Sequence, residues 1–136
     1  MTTVAYKDGI IAYDSRMTEG DMIVTDSFDK HKEVSGCHFF FSGRAEDYDL
    51  GIETYFSGQH QKAHCGMIVV DEGEVYSVSS GENDFEIIKV LWPYAHGSGT
   101  EFALAAMDMG ANAKLAVSQA MKRDPFTGGR VRTFKV

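Results

Sequence analysis

The dipeptide Asp8-Gly9 constrains this chain more than any other pair of residues. It joins TTVAYK to IIAYDSR, two short stretches rich in β-formers. Asp-Gly in a two-residue loop favours the type I′ turn, whose twist matches that of two antiparallel strands. Residues 2–16 therefore read as a hairpin in which Lys7 faces Ile10 and Thr3 faces Asp14. A one-residue slip would send every side chain to the opposite face. The register thus also gives Thr2 a neighbour, placing it diagonally beside Asp14.

Further along, MTEGDMIVTDSFD is polar and glycine-bearing, which predicts a loop with at most a short edge strand. KHKEV and CHFFFSG flank Ser35-Gly36 as a second hairpin, and the apolar run of its return strand predicts burial on both faces. In RAEDYDLGIETYFSG, Tyr48, Ile52, Tyr55 and Phe56 recur near helical spacing, with a glycine after the last turn. CGMIVV and VYSVSS flank DEGE as a third hairpin, FEIIKVLW predicts another strand, and PYAH leads into a glycine-rich turn. Phe102, Ala105, Ala106 and Met109 mark a helix that Gly110 stops. Asn112 is a natural N-cap for the next helix, AKLAVSQAMKR. DPFTGG breaks that helix, and RVRTFKV alternates as a final strand. Two stacked sheets with helices on both outer faces accommodate this order: an α+β, four-layer αββα sandwich formed by a single domain over residues 1–136.

The chain of 136 residues is long enough for one packed core. Its net charge of −7, with no basic run, argues against a nucleic-acid partner, which needs clustered Lys and Arg. No apolar run approaches the ~18 residues that span a bilayer. The first residues also lack the basic and apolar regions of a secretory signal, so no membrane partner and a cytoplasmic location are expected. Cys37 and Cys65 are too few for a disulfide framework and read as small core hydrophobes. Neither Cys37-His38 nor His64-Cys65 has zinc-ligand spacing, so no metal and no cofactor are expected.

A threonine at the first position of a mature chain carries its own base. The hydroxyl is a weak nucleophile until its proton is taken, and a free α-amino group titrates close enough to neutrality to take it. Thr2 meets that requirement once Met1 is removed, and a small second residue is compatible with such removal. The plainer alternative is that Thr2 and Thr3 are β-formers opening a strand.

Four motifs, in order along the chain, extend this reading. TTVAYKDGIIAYDSR resembles the start of the proteasome β-subunits and of the HslV-type proteases, which are N-terminal threonine hydrolases. FSGRAED is similar to the small-residue turn before that family's first helix. PYAHGSGTEFALAAMDMGANAKLAV resembles its Gly-Ser-Gly segment with two helices, and RDPFTGGRV its closing turn and last strand. The first hairpin is shorter than is usual in the family by an even number of residues, which removes whole cross-strand pairs and keeps each side chain on its face. The alignment therefore begins at Thr2 rather than Thr3.

The resemblance implies a role for each matching residue. Thr2 is the nucleophile. A lysine beside it favours the neutral amine and the developing alkoxide; Lys30 is preferred to Lys32, which reads as part of a solvated strand end. Asp14 holds that lysine charged, or else is a strand-end residue paired with Arg16 or water. Gly43 offers its N–H to the oxyanion, or simply forms the turn before the helix. Ser98 lies close to the nucleophile, though Ser98-Gly99-Thr100-Glu101 is also a capping box. Asp124 and Thr127 hold Ser98 and the amino terminus, or form an Asx-type turn. Thr18, Gly43 and Ala45 line a groove for a peptide added as a strand, and Phe41 stands at the base of the first specificity pocket.

The chain also departs from the family. Few residues separate FSG from CGMIVV, where a further helix is usual, so a reduced helical layer is expected on that side. No propeptide beyond Met1 is read, as in the HslV type. The expected partners are a peptide or unfolded protein substrate, further copies in a homo-oligomeric ring, and an ATPase unfoldase. The expected activity is threonine-type endopeptidase. Two alternatives stand beside it: a non-proteolytic assembly or binding module, and a small-molecule amidase using the same nucleophile.

Overall fold

A computed structural model describes residues 2–136; Met1, whose removal the sequence reading expects, lies outside the described residues. The strands and helices are β1 (Thr3–Lys7), β2 (Ile10–Tyr13), β3 (Met17–Glu19), β4 (Met22–Thr25), β5 (His31–Val34), β6 (Cys37–Gly43), α1 (Tyr48–Ser57), β7 (Cys65–Asp71), β8 (Glu74–Ser80), β9 (Phe85–Lys89), β10 (Tyr94–Gly97), α2 (Thr100–Asp108), α3 (Ala113–Met121) and β11 (Arg132–Lys135). By compactness they form two units: the residues up to Lys30 together with Trp92–Val136, and His31–Leu91.

The first unit is built on an antiparallel sheet of order β10-β1-β2-β11, with the β3-β4 hairpin beside it in sequence. Asp8 and Gly9 have φ of 50° and 78°, the type I′ geometry expected of Asp-Gly. The register runs Lys7 to Ile10, Ala5 to Ala12 and Val4 to Tyr13, and the Asp14 N–H donates to the Thr3 carbonyl at 3.3 Å. This is the expected pairing. Ala95, Ala5 and Ala12 are directly opposed across three strands. They form a buried cluster with Ala103 and Met107 of α2 and Ala113, Ala116 and Val117 of α3. A row of alanines leaves room for helices to approach a sheet closely, and each partly supplies the apolar surface the other covers.

Lys7, at the end of β1, donates to the carbonyls of Met107 and Ala111 at 3.3 and 2.9 Å. The last turn of α2 has no basic residue of its own, so a strand lysine supplies the cation favoured at a helix C-terminus. Asn112 caps α3, its side chain accepting from the Leu115 N–H at 2.8 Å.

The second unit is a five-stranded antiparallel meander, β5-β6-β7-β8-β9, with α1 contributing its helical layer. Phe39, Phe40 and Phe41 on β6 are all fully buried, as the continuous apolar run implies. Gly58 ends α1 in the left-handed region, its N–H on the Thr54 carbonyl. No helix forms between Gly58 and β7, matching the expected reduction.

Two stretches differ from the sequence reading. MTEGDMIVTDSFD contains a full hairpin, β3-β4, whose strand β4 is largely exposed and therefore lacks the period-2 burial signal. PYAH leads into the turn as expected but also forms an element of its own: Tyr94–Gly97 is β10, an edge strand paired with β1 from Tyr6 to Thr3. Pro93 sits just before its first residue, a position where proline removes no ladder hydrogen bond.

Candidate active site

Two carboxylates organise the end of the first unit from which β1 starts. Asp14 follows β2 immediately and is fully buried. Its Oδ1 accepts from the Thr2 hydroxyl at 2.6 Å, the Lys30 ammonium at 2.7 Å and the Thr3 N–H at 3.2 Å. Its Oδ2 accepts from the N–H groups of Gly128 at 3.0 Å and Arg16 at 3.3 Å. These donors exceed the roughly four lone-pair sites of a carboxylate, so those on Oδ1 share its lone pairs, and a buried carboxylate needs such partners. Lys30 has lost nearly all its solvent. Burial lowers its pKa below the ordinary lysine value, while the charges of Asp14 and Asp124 and the hydrogen bond to Asp14 oppose the shift.

Asp124 is the second carboxylate. Its Oδ2 accepts from Ser98 Oγ at 2.5 Å and from Thr127 Oγ1 at 2.6 Å, and its Oδ1 accepts from the Phe126 N–H at 3.1 Å. The Asx-type turn and the side-chain bonds thus coexist. Ser98 accepts from the Thr2 nitrogen at 3.1 Å. The capping-box alternative for Ser98 is not what forms: Gly99 is the N-cap of α2 and no side chain caps it. Ser98 Oγ instead gives its proton to Asp124 and accepts from the Thr2 nitrogen, so its oxygen serves partners distant in sequence rather than an N–H of α2.

Arg16 does not pair with Asp14 through its side chain. Its guanidinium grips both oxygens of Asp26, at 2.8 and 3.2 Å, and reaches the Pro125 carbonyl at 2.9 Å. It thereby ties the segment after β2 to the turn that carries Asp124. A side chain at Gly128 would run into this guanidinium.

Two further glycines let the segments meet. Gly97 has a φ of 103°, and a Cβ there would collide with the Thr2 carbonyl. A Cβ at Gly99 would collide with Thr3 Oγ1 and lie 3.0 Å from the Ala120 Cβ. Chemically, the Thr2 hydroxyl sits on a carboxylate–ammonium pair and the Thr2 nitrogen on a hydroxyl polarised by a second carboxylate. Such a constellation can orient a nucleophile and govern the protonation of the nitrogen on the same residue.

No family model and no curated protein matches this sequence. Solved structures do match. BPH of Thiobacillus denitrificans in complex with epoxomicin aligns with a TM-score of 0.74 at 18% identity, covering 99% of this chain and 97% of its own. A structure of the same protein described without that compound gives 0.72 at 18%, covering 99% and 96%. Eukaryotic HslV from Trypanosoma brucei gives 0.72 at 18%, covering 99% of both chains. The chain has an HslV-type fold.

The remaining expected residues can be placed on that fold. In the first unit, Thr18 lies on β3, half-buried, where the pairing with β4 shifts register. In the second, Lys32 is exposed and pairs with Asp49 at 2.8 Å, as a solvated strand end would. Gly43 ends β6 with a φ of 92°; a Cβ would lie 2.6 Å from the His64 carbonyl oxygen, so only glycine fits. Phe41 is fully buried and stacked on Tyr48 with ring centroids 4.2 Å apart. Ala45 opens the 3-10 turn before α1. The sequence reading set Thr3 across from Asp14 but missed its hydroxyl as part of the cluster, together with Gly97 and Gly128. Only the doubled threonine and the glycines around Ser98 hinted at them.

Proposed function

We propose that this chain is an N-terminal threonine peptidase whose nucleophile is Thr2. The observation that carries the reading is the double engagement of Thr2: its hydroxyl on the Asp14–Lys30 pair and its nitrogen on Ser98, itself held by Asp124.

With Met1 removed, the Thr2 nitrogen becomes a primary amine able to accept the hydroxyl proton. Oγ1 then attacks the peptide carbonyl. The C–O bond forms, the C–N bond breaks, and the proton passes from the amine to the departing nitrogen. Water attacks the resulting ester and returns the proton to Oγ1. Lys30, kept charged by Asp14, favours the neutral amine and the developing alkoxide. In this reading Gly43 serves the oxyanion, Thr18 and Ala45 hold the peptide, and Phe41 backs the first side-chain pocket. On the same reading the chain is of the four-layer αββα class and works within a ring of copies, with a peptide or unfolded protein as substrate and an ATPase feeding it.

The test is peptide hydrolysis by Met1-free protein beside its Thr2→Ala variant, with intact-mass measurement after exposure to epoxomicin. Turnover by the wild type only, with one inhibitor mass added at Thr2, is the expected result. Equal rates in both proteins would overturn the reading. Addition of epoxomicin to Thr2 without peptide turnover would favour a small-molecule amidase. Sedimentation of the same sample reports whether rings form.

A further inference from the structure

Thr3 has no place in the mechanism above, yet its hydroxyl is fully buried and lies 2.7 Å from Thr127 Oγ1. The direction of this hydrogen bond follows from its neighbours. Asp124 Oδ2 can only accept, and it takes the single protons of both Ser98 and Thr127. The oxygen of Thr127 is then left as an acceptor, so Thr3 must donate to it. The oxygen of Ser98 is likewise left as an acceptor, and it takes the N–H of Thr2. Two arms therefore leave one carboxylate oxygen. One runs through Ser98 to the Thr2 nitrogen, and the other through Thr127 to the Thr3 hydroxyl.

We infer that Thr3 is a positioning residue for the Thr2 amine, acting through Thr127, Asp124 and Ser98; this rests on the peptidase reading of Thr2. Hydrogen bonds in such a chain polarise one another in a low-dielectric interior. Donation by Thr3 makes Thr127 a better donor, which draws charge from Asp124 and fixes where that charge sits. The carboxylate in turn sets how strongly Ser98 is held as an acceptor for the amine. Thr3 also donates its own N–H to Asp14 Oδ1 at 3.2 Å, so one residue touches the supports of both the nucleophile and its base. The space is built for the hydroxyl pair: a Cβ at Gly99 would collide with Thr3 Oγ1 and lie 3.2 Å from Thr127 Oγ1. A threonine serving only as a β-former would need none of this.

The test follows the Thr2 amine by pH titration of its 15N signal in Met1-free protein, for wild type, Thr3→Val and Thr3→Ser. Valine keeps the shape without the hydroxyl, and serine keeps the hydroxyl without the methyl. Loss of the Thr3 donor leaves Asp124 with more uncompensated charge, which favours the ammonium. The expected result is an upward shift of the amine titration in Thr3→Val and none in Thr3→Ser. Superimposable titrations in all three proteins, or equal shifts in both variants, would overturn the inference. Should Thr3→Val not fold, Thr3→Ala gives the same comparison with a smaller side chain. Peptide hydrolysis by wild type and Thr2→Ala, run alongside, judges the peptidase reading separately, because the amine titrates whether or not peptide is cut.

Discussion

Asp14 holds the ammonium of Lys30 at 2.7 Å, and both side chains are out of solvent. A buried pair of this kind contributes little relative to a well-packed apolar pair, but breaking it strands a charge. Lys30→Met is therefore expected to cost about 3–5 kcal/mol in urea unfolding. Adding Asp14→Asn removes the stranded charge and should recover part of that loss. A double-variant loss equal to the sum of the single losses would show that the two groups are not coupled.

The pH dependence of turnover has a definite sign. Burial lowers the pKa of Lys30 below its ordinary 10.5. If the ammonium supports the nucleophile, epoxomicin addition to Thr2 should slow as pH rises through that lowered value, before an exposed lysine would titrate. For stability the sign is the reverse. Between the folded and unfolded pKa the unfolded chain binds more protons, so this group's contribution to stability improves as pH rises. An alkaline limb at or above 10.5, measured by the rate of epoxomicin addition, would count against Lys30.

Gly97→Ala should separate site geometry from general packing. The residue sits at a φ of 103°, where an L side chain is strained, and its Cβ would strike the Thr2 carbonyl. A loss of about 1–3 kcal/mol is expected from the clash and strain. Epoxomicin addition to Thr2 should suffer beyond that loss of stability, because the displaced atom belongs to Thr2 itself. Asn112→Ala supplies the contrast: it removes a helix cap remote from Thr2, costs about 1 kcal/mol and should leave epoxomicin addition unchanged.

Local chemistry made much of this structure legible in advance. Asp8-Gly9, Ser35-Gly36 and Glu72-Gly73 all adopt paired positive φ values; the first two set hairpin registers that the sequence already implied, and the third closes the hairpin expected at DEGE. Asn112 caps and Gly110 stops where their chemistry predicts. Ser98 was ambiguous because a capping box and a carboxylate partner ask for the same residue. Only the chain reversal at Asp124, 26 residues away, decides between them. β10 was unreadable because its four residues join β1 through long-range pairing and carry no alternation of their own. Thr3 was hidden for a similar reason, since its partner Thr127 lies 124 residues along the chain.

Cys65 offers a test of the second unit that does not depend on catalysis. Its thiol is a free one, enclosed beside the Asp47 carbonyl at 3.7 Å and close against Gly51. Burial, with the charge of Asp47 adding to it, pushes the thiol up from 9.0 to about 11. An acid whose folded pKa is raised contributes stability that is complete below the unfolded value and is lost as pH rises through the folded one. Wild-type protein should therefore lose stability relative to Cys65→Ala between about pH 9 and about pH 11. Below that window their difference, set by packing alone, should stay constant. Urea midpoints for the two proteins across the range measure it. A difference that stays flat throughout would mean the Cys65 thiol is not enclosed as described.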